Sequence, residues 1–173
     1  MNRQVRLMKN LFLIGGPMGV GKSTVGQVLK KKLPNSVFLD GDWCWDANPF
    51  VVNEETKRVV MENICFLLKN FLMCSAYENI IFCWVMHEQK IIDELLANLP
   101  VDGCHVTAFS LLCREAELRL RLQKDMDAGL RSDDIIERSI TKLPLYKELA
   151  TIKIDTSGMN AEAAADTLLL HIK

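Results

Sequence analysis

The sequence lacks an excess of charge of either sign and lacks a long hydrophobic run. Its 21 Lys and Arg side chains stand against 22 Asp and Glu, so it has no clustered basic excess of the kind that coats nucleic acid or an anionic membrane. The longest apolar stretch, residues 80–86, is far below the roughly 20 residues of a membrane span. The apolar run 11–14 ends at two glycines, too early for a signal peptide. We expect no nucleic-acid or membrane partner and a cytoplasmic location.

The sequence also lacks a disulfide or metal pattern of cysteines. Its six cysteines are scattered without a CxxC pair, which indicates reduced, buried, small hydrophobic side chains. A chain of 173 residues with 49% hydrophobic and 25% charged residues is typical of one globular domain. Such a chain buries roughly two thirds of its unfolded surface. We therefore expect a single domain, 1–173, that needs no disulfide bonds.

Short apolar segments alternate with helical patterns along the chain. Such alternation predicts an α/β fold with a five-stranded parallel sheet, helices on both faces and right-handed crossovers, in which ligands bind at the carboxyl ends of the strands. Gly and Pro positions and apolar periodicity set the boundaries. The predicted strands are 11–14, 36–39, 80–85, 104–110 and 151–154. The first two predicted helices begin after residue 22 and after Asn53. The later helices cover 88–98, 115–124, 133–149 with a break at Pro144, and 161–172.

A phosphate-binding loop stands between the first predicted strand and helix. Residues 16–24 match the pattern GxxxxGK(S/T), in which glycines let backbone N–H groups point at phosphate oxygens and the helix adds its positive end. Lys22 brings a positive charge to the β and γ phosphates, and Ser23 offers a hydroxyl to Mg²⁺. The alternative is a glycine-rich turn with an exposed lysine. The predicted nucleotide-binding residues here are Gly16, Gly19, Val20, Gly21, Lys22, Ser23 and Thr24.

Two carboxylates follow the second predicted strand. Alternating residues at a strand end point the same way, so Asp40 and Asp42 both face the crevice that holds the terminal phosphate. We assign Asp40, with Ser23, to the metal, and Asp42 to accept a proton from an acceptor hydroxyl. The alternative is an Asx turn with both carboxylates solvated.

The third predicted strand ends without an acidic residue. Residues 84–87 read Trp-Val-Met-His, which weakens an interpretation as a hydrolysis motor. His87 either touches the acceptor or phosphate, or is a capping or solvated histidine. Trp43 and Trp45 line an acceptor pocket or are ordinary packing residues.

Basic charge concentrates after the fourth predicted strand. Arginines on a closing segment stabilise the charge of phosphoryl transfer and exclude water. Arg119 and Arg121 are two residues apart and cannot share a helix face, so we prefer Arg121 as the nucleotide contact. The polar segment 124–132 is the predicted lid, in which Arg131 is either a phosphate clamp or a solvated charge. The basic residues are Arg114, Arg119, Arg121, Lys124 and Arg131.

Four features carry a resemblance to a known family: the phosphate loop, the acidic turn 39–42, the basic helix with its lid, and the turn 155–158. Together they resemble the small P-loop kinases of the shikimate and gluconate kinase type, including chloramphenicol-phosphotransferase-like relatives. The resemblance implies the strand order 2-3-1-4-5, ATP with Mg²⁺, an acceptor near Asp42, and adenine between Arg121 and the loop that contains Gly158. The chain departs from these families because strand three lacks a glycine-rich acceptor loop and residues 43–45 differ. Neither substrate carries over.

These observations predict an ATP-dependent kinase that phosphorylates a hydroxyl of a small molecule, such as a sugar acid, a nucleoside or an antibiotic-like acceptor. Its catalytic residues are Lys22, Asp42, Arg121 and Arg131, and it is a monomer or homodimer. A second hypothesis is an ATP-binding regulatory or resistance protein without a dedicated acceptor. A third is a nucleoside monophosphate kinase, although segment 42–90 has few cations to grip an acceptor phosphate.

Overall fold

Five parallel strands form one sheet in the computed structural model, which describes residues 8–130 and 134–172. The order across the sheet is β2-β3-β1-β4-β5, and each neighbouring pair is parallel. The predicted α/β class and the implied strand order are therefore confirmed. The strands are β1 (Lys9–Gly15), β2 (Ser36–Asp40), β3 (Asn79–Cys83), β4 (Cys104–Leu112) and β5 (Ile152–Asp155).

Helices connect the strands as predicted, with small shifts of their ends. One helix runs past its predicted end at 124 to residue 127, so the first residues of the predicted lid belong to its last turn. Residues 128–130 form a turn after the helix, and the last two residues of the predicted lid, 131 and 132, lie outside the described residues. The helices are α1 (Lys22–Lys32), α2 (Glu54–Met73), α3 (Gln89–Ala97), α4 (Glu115–Asp127), α5 (Ile135–Lys142), α6 (Leu145–Glu148) and α7 (Ala161–Leu169).

The core consists of two layers, one on each face of the sheet. Successive side chains of a strand point to opposite faces, so Phe12 and Ile14 of β1 pack in one layer and Leu11 and Leu13 in the other. Helices α1, α4 and α7 cover the first layer, and α2 and α3 cover the second. The strands are thereby buried on both faces, and the chemistry is confined to the loops at their ends.

The N-terminus of α2 is fixed by a reciprocal cap. Asn53 accepts a hydrogen bond from the backbone of Thr56, and the Thr56 hydroxyl accepts one from the Asn53 backbone, which satisfies two N–H groups that the helix leaves unpaired. The predicted N-cap at Asn53 is correct. The cap holds the start of α2 beside the turn that follows β2.

The cysteine prediction is correct only in part. All six cysteines are free, but Cys83 and Cys113 alone are buried, and the other four are partly exposed. Cys44, for example, ends the short 3₁₀ turn after β2 and packs at the edge of the core. None of the helices in residues 8–130 and 134–172 combines the length and the apolar character of a membrane span.

Candidate active site

The phosphate loop packs so closely against its neighbours that it requires glycine. Gly19 has φ 82°, in the left-handed region, and a Cβ there would lie 2.5 Å from a Leu122 side-chain carbon of α4. A Cβ at Gly16 would lie 2.8 Å from the Leu111 carbonyl oxygen of β4. Because both positions exclude a side chain, only glycine lets the loop backbone pack this closely against α4 and β4.

Lys22 and Ser23 begin α1 directly after the loop. Lys22 Nζ donates a hydrogen bond to the Pro17 carbonyl at 3.0 Å, so the ammonium group lies across the loop. The Ser23 hydroxyl donates to Asp40 Oδ2 at the end of β2. The helix N-terminus and the lysine together give the loop the positive potential that a polyphosphate needs.

Asp40 organises the acidic turn. It is buried, with 8% of its surface exposed, and its second oxygen, Oδ1, accepts a hydrogen bond from the Asp42 backbone N–H at 3.0 Å. The chain then forms a short 3₁₀ turn, Gly41–Cys44, instead of continuing as a strand. The premise that Asp40 and Asp42 alternate along a strand end is therefore wrong. The turn, rather than strand alternation, sets the direction of Asp42.

Asp42 nevertheless lies at the phosphate loop. A cavity of about 430 Å³ is lined by Gly19, Gly21, Lys22, Ser23, Thr24, Asp42, Arg121 and Lys124, with Met18 and Asp125. The structure thus brings together the predicted loop residues, the predicted proton acceptor and the preferred arginine. This cavity is the candidate active site.

The donor set of the site fits a magnesium ion. Ser23 and Asp40 offer a hydroxyl and a carboxylate oxygen in direct contact with each other, and Mg²⁺ prefers oxygen ligands, often one or two from protein with the rest from phosphates and water. Among residues 8–130 and 134–172, no three His, Cys, Asp or Glu side chains gather into a metal cluster. The residues therefore suit an ion shared with a nucleotide better than an ion held by protein alone.

Arg121 links the phosphate loop to the loop after β5. Its guanidinium donates to the Val20 carbonyl at 3.0 Å and to the Thr156 carbonyl at 3.2 Å. Arg119 lies on another face of α4, where it pairs with Glu115 at 2.8 Å. Of the two arginines, Arg121 contacts the phosphate loop and lines the cavity, and its contact with the nucleotide stays a prediction.

Glu117 is a site residue that sequence reasoning missed. Its carboxylate accepts hydrogen bonds from Arg121 and from the Gly158 backbone N–H at 3.0 Å and 3.2 Å. Burial alone raises the pKa of Glu117, but the hydrogen bonds from Arg121 and Gly158 outweigh it and lower the pKa below its ordinary value. The spacing of Glu117 and Arg121, one helical turn apart, was the available signal.

The three tryptophans lie in different surroundings. Trp45 lines a second cavity of about 310 Å³ that begins at the same turn. Trp43 is 62% exposed and packs edge-on against Phe38. Trp84 covers Gly41, where a Cβ would lie 2.5 Å from two of its ring atoms. Trp45 is thus placed as a pocket residue, and Trp84 as a support of the acidic turn.

His87, which lines neither cavity, and Tyr146 each have a buried polar atom with incomplete hydrogen bonding. Within the described chain, neither His87 Nδ1 nor the Tyr146 hydroxyl has a hydrogen-bond partner. Burial, followed by the charge of Lys142, lowers the pKa of His87. Burial raises the pKa of Tyr146, although the nearby Gly16 backbone opposes this rise. Tyr146 of α6 was not anticipated, because nothing in its sequence neighbourhood shows that it reaches the phosphate loop.

The chain is similar to known proteins in sequence. The model of a family described as AAA domain matches residues 13–140. The shikimate kinase of Buchnera aphidicola subsp. Schizaphis graminum (strain Sg) is 27% identical in an alignment 184 residues long, and the alignment covers 93% of this chain and 94% of the relative.

Solved structures share the fold at low sequence identity. The Deinococcus radiodurans tunicamycin resistance protein superposes with a TM-score of 0.69 at 17% identity, covering 95% of each chain. A gluconokinase from Sinorhizobium meliloti 1021 gives 0.63 at 17% identity, covering 95% of this chain and 96% of that one. Shikimate kinase from Acinetobacter baumannii gives 0.64 at 22% identity, covering 96% and 94%. The resemblance predicted from the motifs is confirmed.

Proposed function

The chain belongs to the AAA domain family, and from that premise we propose that it transfers the γ-phosphoryl group of ATP to a hydroxyl of a small molecule. The class of enzyme predicted from the sequence, a P-loop small-molecule kinase, agrees with the shikimate kinase relative. One observation carries the proposal: a single cavity is lined by Lys22, Ser23 and Asp42. The phosphate-binding residues and a carboxylate that can receive a proton thus line the same cavity.

The proposed reaction is a direct transfer. The acceptor oxygen attacks the γ-phosphorus, its proton passes to the Asp42 carboxylate, and the bond between the γ-phosphorus and the bridging oxygen of the β-phosphate breaks to release ADP. Lys22 and the N-terminus of α1 stabilise the negative charge on the phosphates. Asp42 is exposed, so an acceptor can reach it from solvent.

Ser23 and Asp40 are the residues that would hold Mg²⁺. When bound, the ion neutralises charge on the β- and γ-phosphates. Because Asp40 also accepts from the Asp42 backbone, the same residue fixes the turn that carries the proton acceptor. Metal site and acceptor site are therefore coupled through one buried carboxylate.

The nucleotide base is proposed to lie beside Arg121 and Gly158. The hydrogen bonds of Arg121 to Val20 and Thr156 support a positioning role that joins the phosphate loop to the base-binding loop. Arg131 lies outside the described residues, and its role as a phosphate clamp remains a prediction. A cytoplasmic location and a monomeric or homodimeric state belong to the same proposal.

The second hypothesis, an ATP-binding protein without an acceptor, predicts that apolar side chains fill the space beside Asp42. The cavity of about 310 Å³ that begins at Cys44 and Trp45 favours the kinase. A nucleoside monophosphate kinase would need cations for an acceptor phosphate, and the lining of this cavity includes neither Lys nor Arg among the described residues.

The test is a screen of acceptor-dependent ADP release across sugars, sugar acids, nucleosides, alcohols and antibiotics. We expect at least one acceptor to stimulate release, and Asp42→Asn to reduce the stimulated rate by roughly 10²-fold while keeping ATP affinity within a few fold. Asp102→Asn, in an exposed turn before β4, is the matched control and should leave the rate unchanged. ATP binding with no stimulation by any acceptor would favour the regulatory hypothesis.

A further inference from the structure

A short turn separates two cavities of different character. In the turn Gly41–Cys44, Asp42 lines the cavity of the phosphate loop, and Cys44, two residues later, lines the second cavity. Burial, and then the negative charge of Asp40, raise the pKa of the Cys44 thiol, so this thiol lies near the carboxylate that contacts Ser23. The lining of the second cavity thus begins two residues along the chain from the proposed proton acceptor.

The lining of the second cavity is mainly apolar. Its ring and aliphatic side chains offer few hydrogen-bond partners, whereas a sugar needs several to replace the water it loses. The apolar members that carry this argument are Trp45, Ala47, Pro49, Val51, Val59 and Val60.

The charge of the cavity is negative. Asp46 and Glu55 are in its lining, and among the described residues that line it there is neither Lys nor Arg. A sugar acid would therefore meet two carboxylates without a cation to pair with, which is unfavourable in a partly enclosed site. The cavity disfavours an anionic occupant.

The rim of the cavity leaves large apolar side chains exposed to water. Phe50 is 57% exposed and tilts against Trp45 with ring centroids 5.2 Å apart, and Val51 and Val59 are 44% and 42% exposed. Covering such side chains with an apolar group is favourable because it removes their surface from water.

We propose that the second cavity, through Trp45, Val51 and Val59, binds the apolar body of the acceptor, and that the acceptor is an uncharged or cationic alcohol rather than a sugar acid. This inference rests on the proposed kinase function and specifies its substrate class. The hydroxyl of such an alcohol lies toward Asp42, and its ring or aliphatic part lies between the turn and the start of α2.

The test uses 1-phenyl-1,2-ethanediol, an uncharged diol with an apolar ring, and gluconate, a polyhydroxylated anion. Binding is followed by saturation-transfer NMR of the ring protons, and transfer by ADP release. Val51 lines the cavity, whereas its neighbour Val52 is 56% exposed and is not among the lining residues. Val51→Asp and Val52→Asp thus form a matched pair.

We expect the diol to bind and to stimulate ADP release more than gluconate does. Val51→Asp should weaken diol binding by about tenfold or more, because it places a further carboxylate against the ring, and Val52→Asp should change it less than twofold. Equal loss in both variants would overturn the assignment of the cavity. If V51D fails to fold, Val51→Ser against Val52→Ser gives the same comparison.

Failure of the inference and failure of the kinase function differ in their results. Stimulation by gluconate without any diol binding overturns the apolar acceptor and leaves the kinase function standing. Diol binding that V51D weakens, without ADP release from any acceptor of the screen, overturns the transfer and supports the apolar site.

Discussion

Asp40 accepts a hydrogen bond from the Ser23 hydroxyl, although 17 residues separate them in the chain. The contact joins the start of α1 to the end of β2, and the other oxygen of Asp40 holds the Asp42 backbone. One buried carboxylate thus connects the phosphate loop to the acidic turn.

The first prediction concerns this carboxylate. Asp40→Asn removes the negative charge that would attract Mg²⁺, so we expect the magnesium concentration for half-maximal ADP release to rise by roughly tenfold or more. Magnesium titration of the stimulated rate is the measurement. The control is Asp102→Asn, in an exposed turn outside both cavities, and an unchanged magnesium requirement in Asp40→Asn would remove Asp40 from the metal site.

The second prediction concerns Glu117 as a positioning residue. Glu117→Gln keeps the size of the side chain but weakens its charge-assisted hydrogen bonds to Arg121 and Gly158. We expect the KM for ATP to rise about three- to tenfold with a smaller change in kcat, since loss of 1.4 kcal/mol is tenfold. Glu115→Gln, which affects the partner of Arg119 instead, should leave both constants unchanged. A fall in kcat at unchanged KM would contradict the positioning role.

The third prediction concerns Arg131. If it clamps the phosphates during transfer, Arg131→Ala should lower kcat by roughly 10²-fold, the scale for loss of a group that stabilises developing charge. Arg138→Ala is the control, because Arg138 is exposed and pairs with Asp134 at 3.2 Å. Assays of ADP release at saturating ATP compare the kcat of the two variants. Equal kcat values in the two variants would show that Arg131 is not the phosphate clamp, and Arg114 and Lys124 would then be the candidates.

The fourth prediction concerns Gly41 and Trp84. A Cβ at Gly41 would lie 2.5 Å from two ring atoms of Trp84, so Gly41→Ala should lower the free energy of unfolding by about 1–3 kcal/mol through overpacking. It should also displace the turn and lower acceptor-dependent turnover. Gly15→Ala is the control, since its nearest neighbour would lie at 3.5 Å, an ordinary contact. Urea unfolding of both variants measures the difference.

The phosphate loop and the parallel sheet could be predicted from the sequence because both depend on local patterns, whereas the strand order was implied only by the resemblance to small P-loop kinases. The loop needs glycines and a lysine at fixed spacing, and a parallel sheet needs apolar strands that alternate with helices. The role of Asp42 was assigned from strand alternation, yet a 3₁₀ turn places it. A turn and a strand end differ by a few backbone angles that Asp-Gly-Asp does not determine.

Contacts between distant parts of the chain were not accessible. Arg121 and Val20 are 101 residues apart, and Glu117 reaches Gly158 across 41 residues. Periodicity reports which face of α4 is apolar, but not which loops meet its polar face. Residues that connect two loops therefore have to be found in the structure.

The last prediction concerns Tyr146, a fully buried side chain of α6. In the described part of the chain its hydroxyl has no hydrogen bond of good geometry, although it lies beside the Gly16 backbone, and an unpaired buried hydroxyl costs about 1–3 kcal/mol relative to one that is satisfied. Tyr146→Phe removes that hydroxyl without changing the ring, so we expect the free energy of unfolding to stay the same or to rise by about 1 kcal/mol. ATP affinity should not change, because the phosphate loop is held by its own contacts with Leu111 and Leu122. Tyr77→Phe, at a partly exposed ring, should fall within about 0.5 kcal/mol of the parent. A loss of stability together with weaker ATP binding in Tyr146→Phe would instead mean that the hydroxyl bonds to the Gly16 backbone and helps to hold the loop.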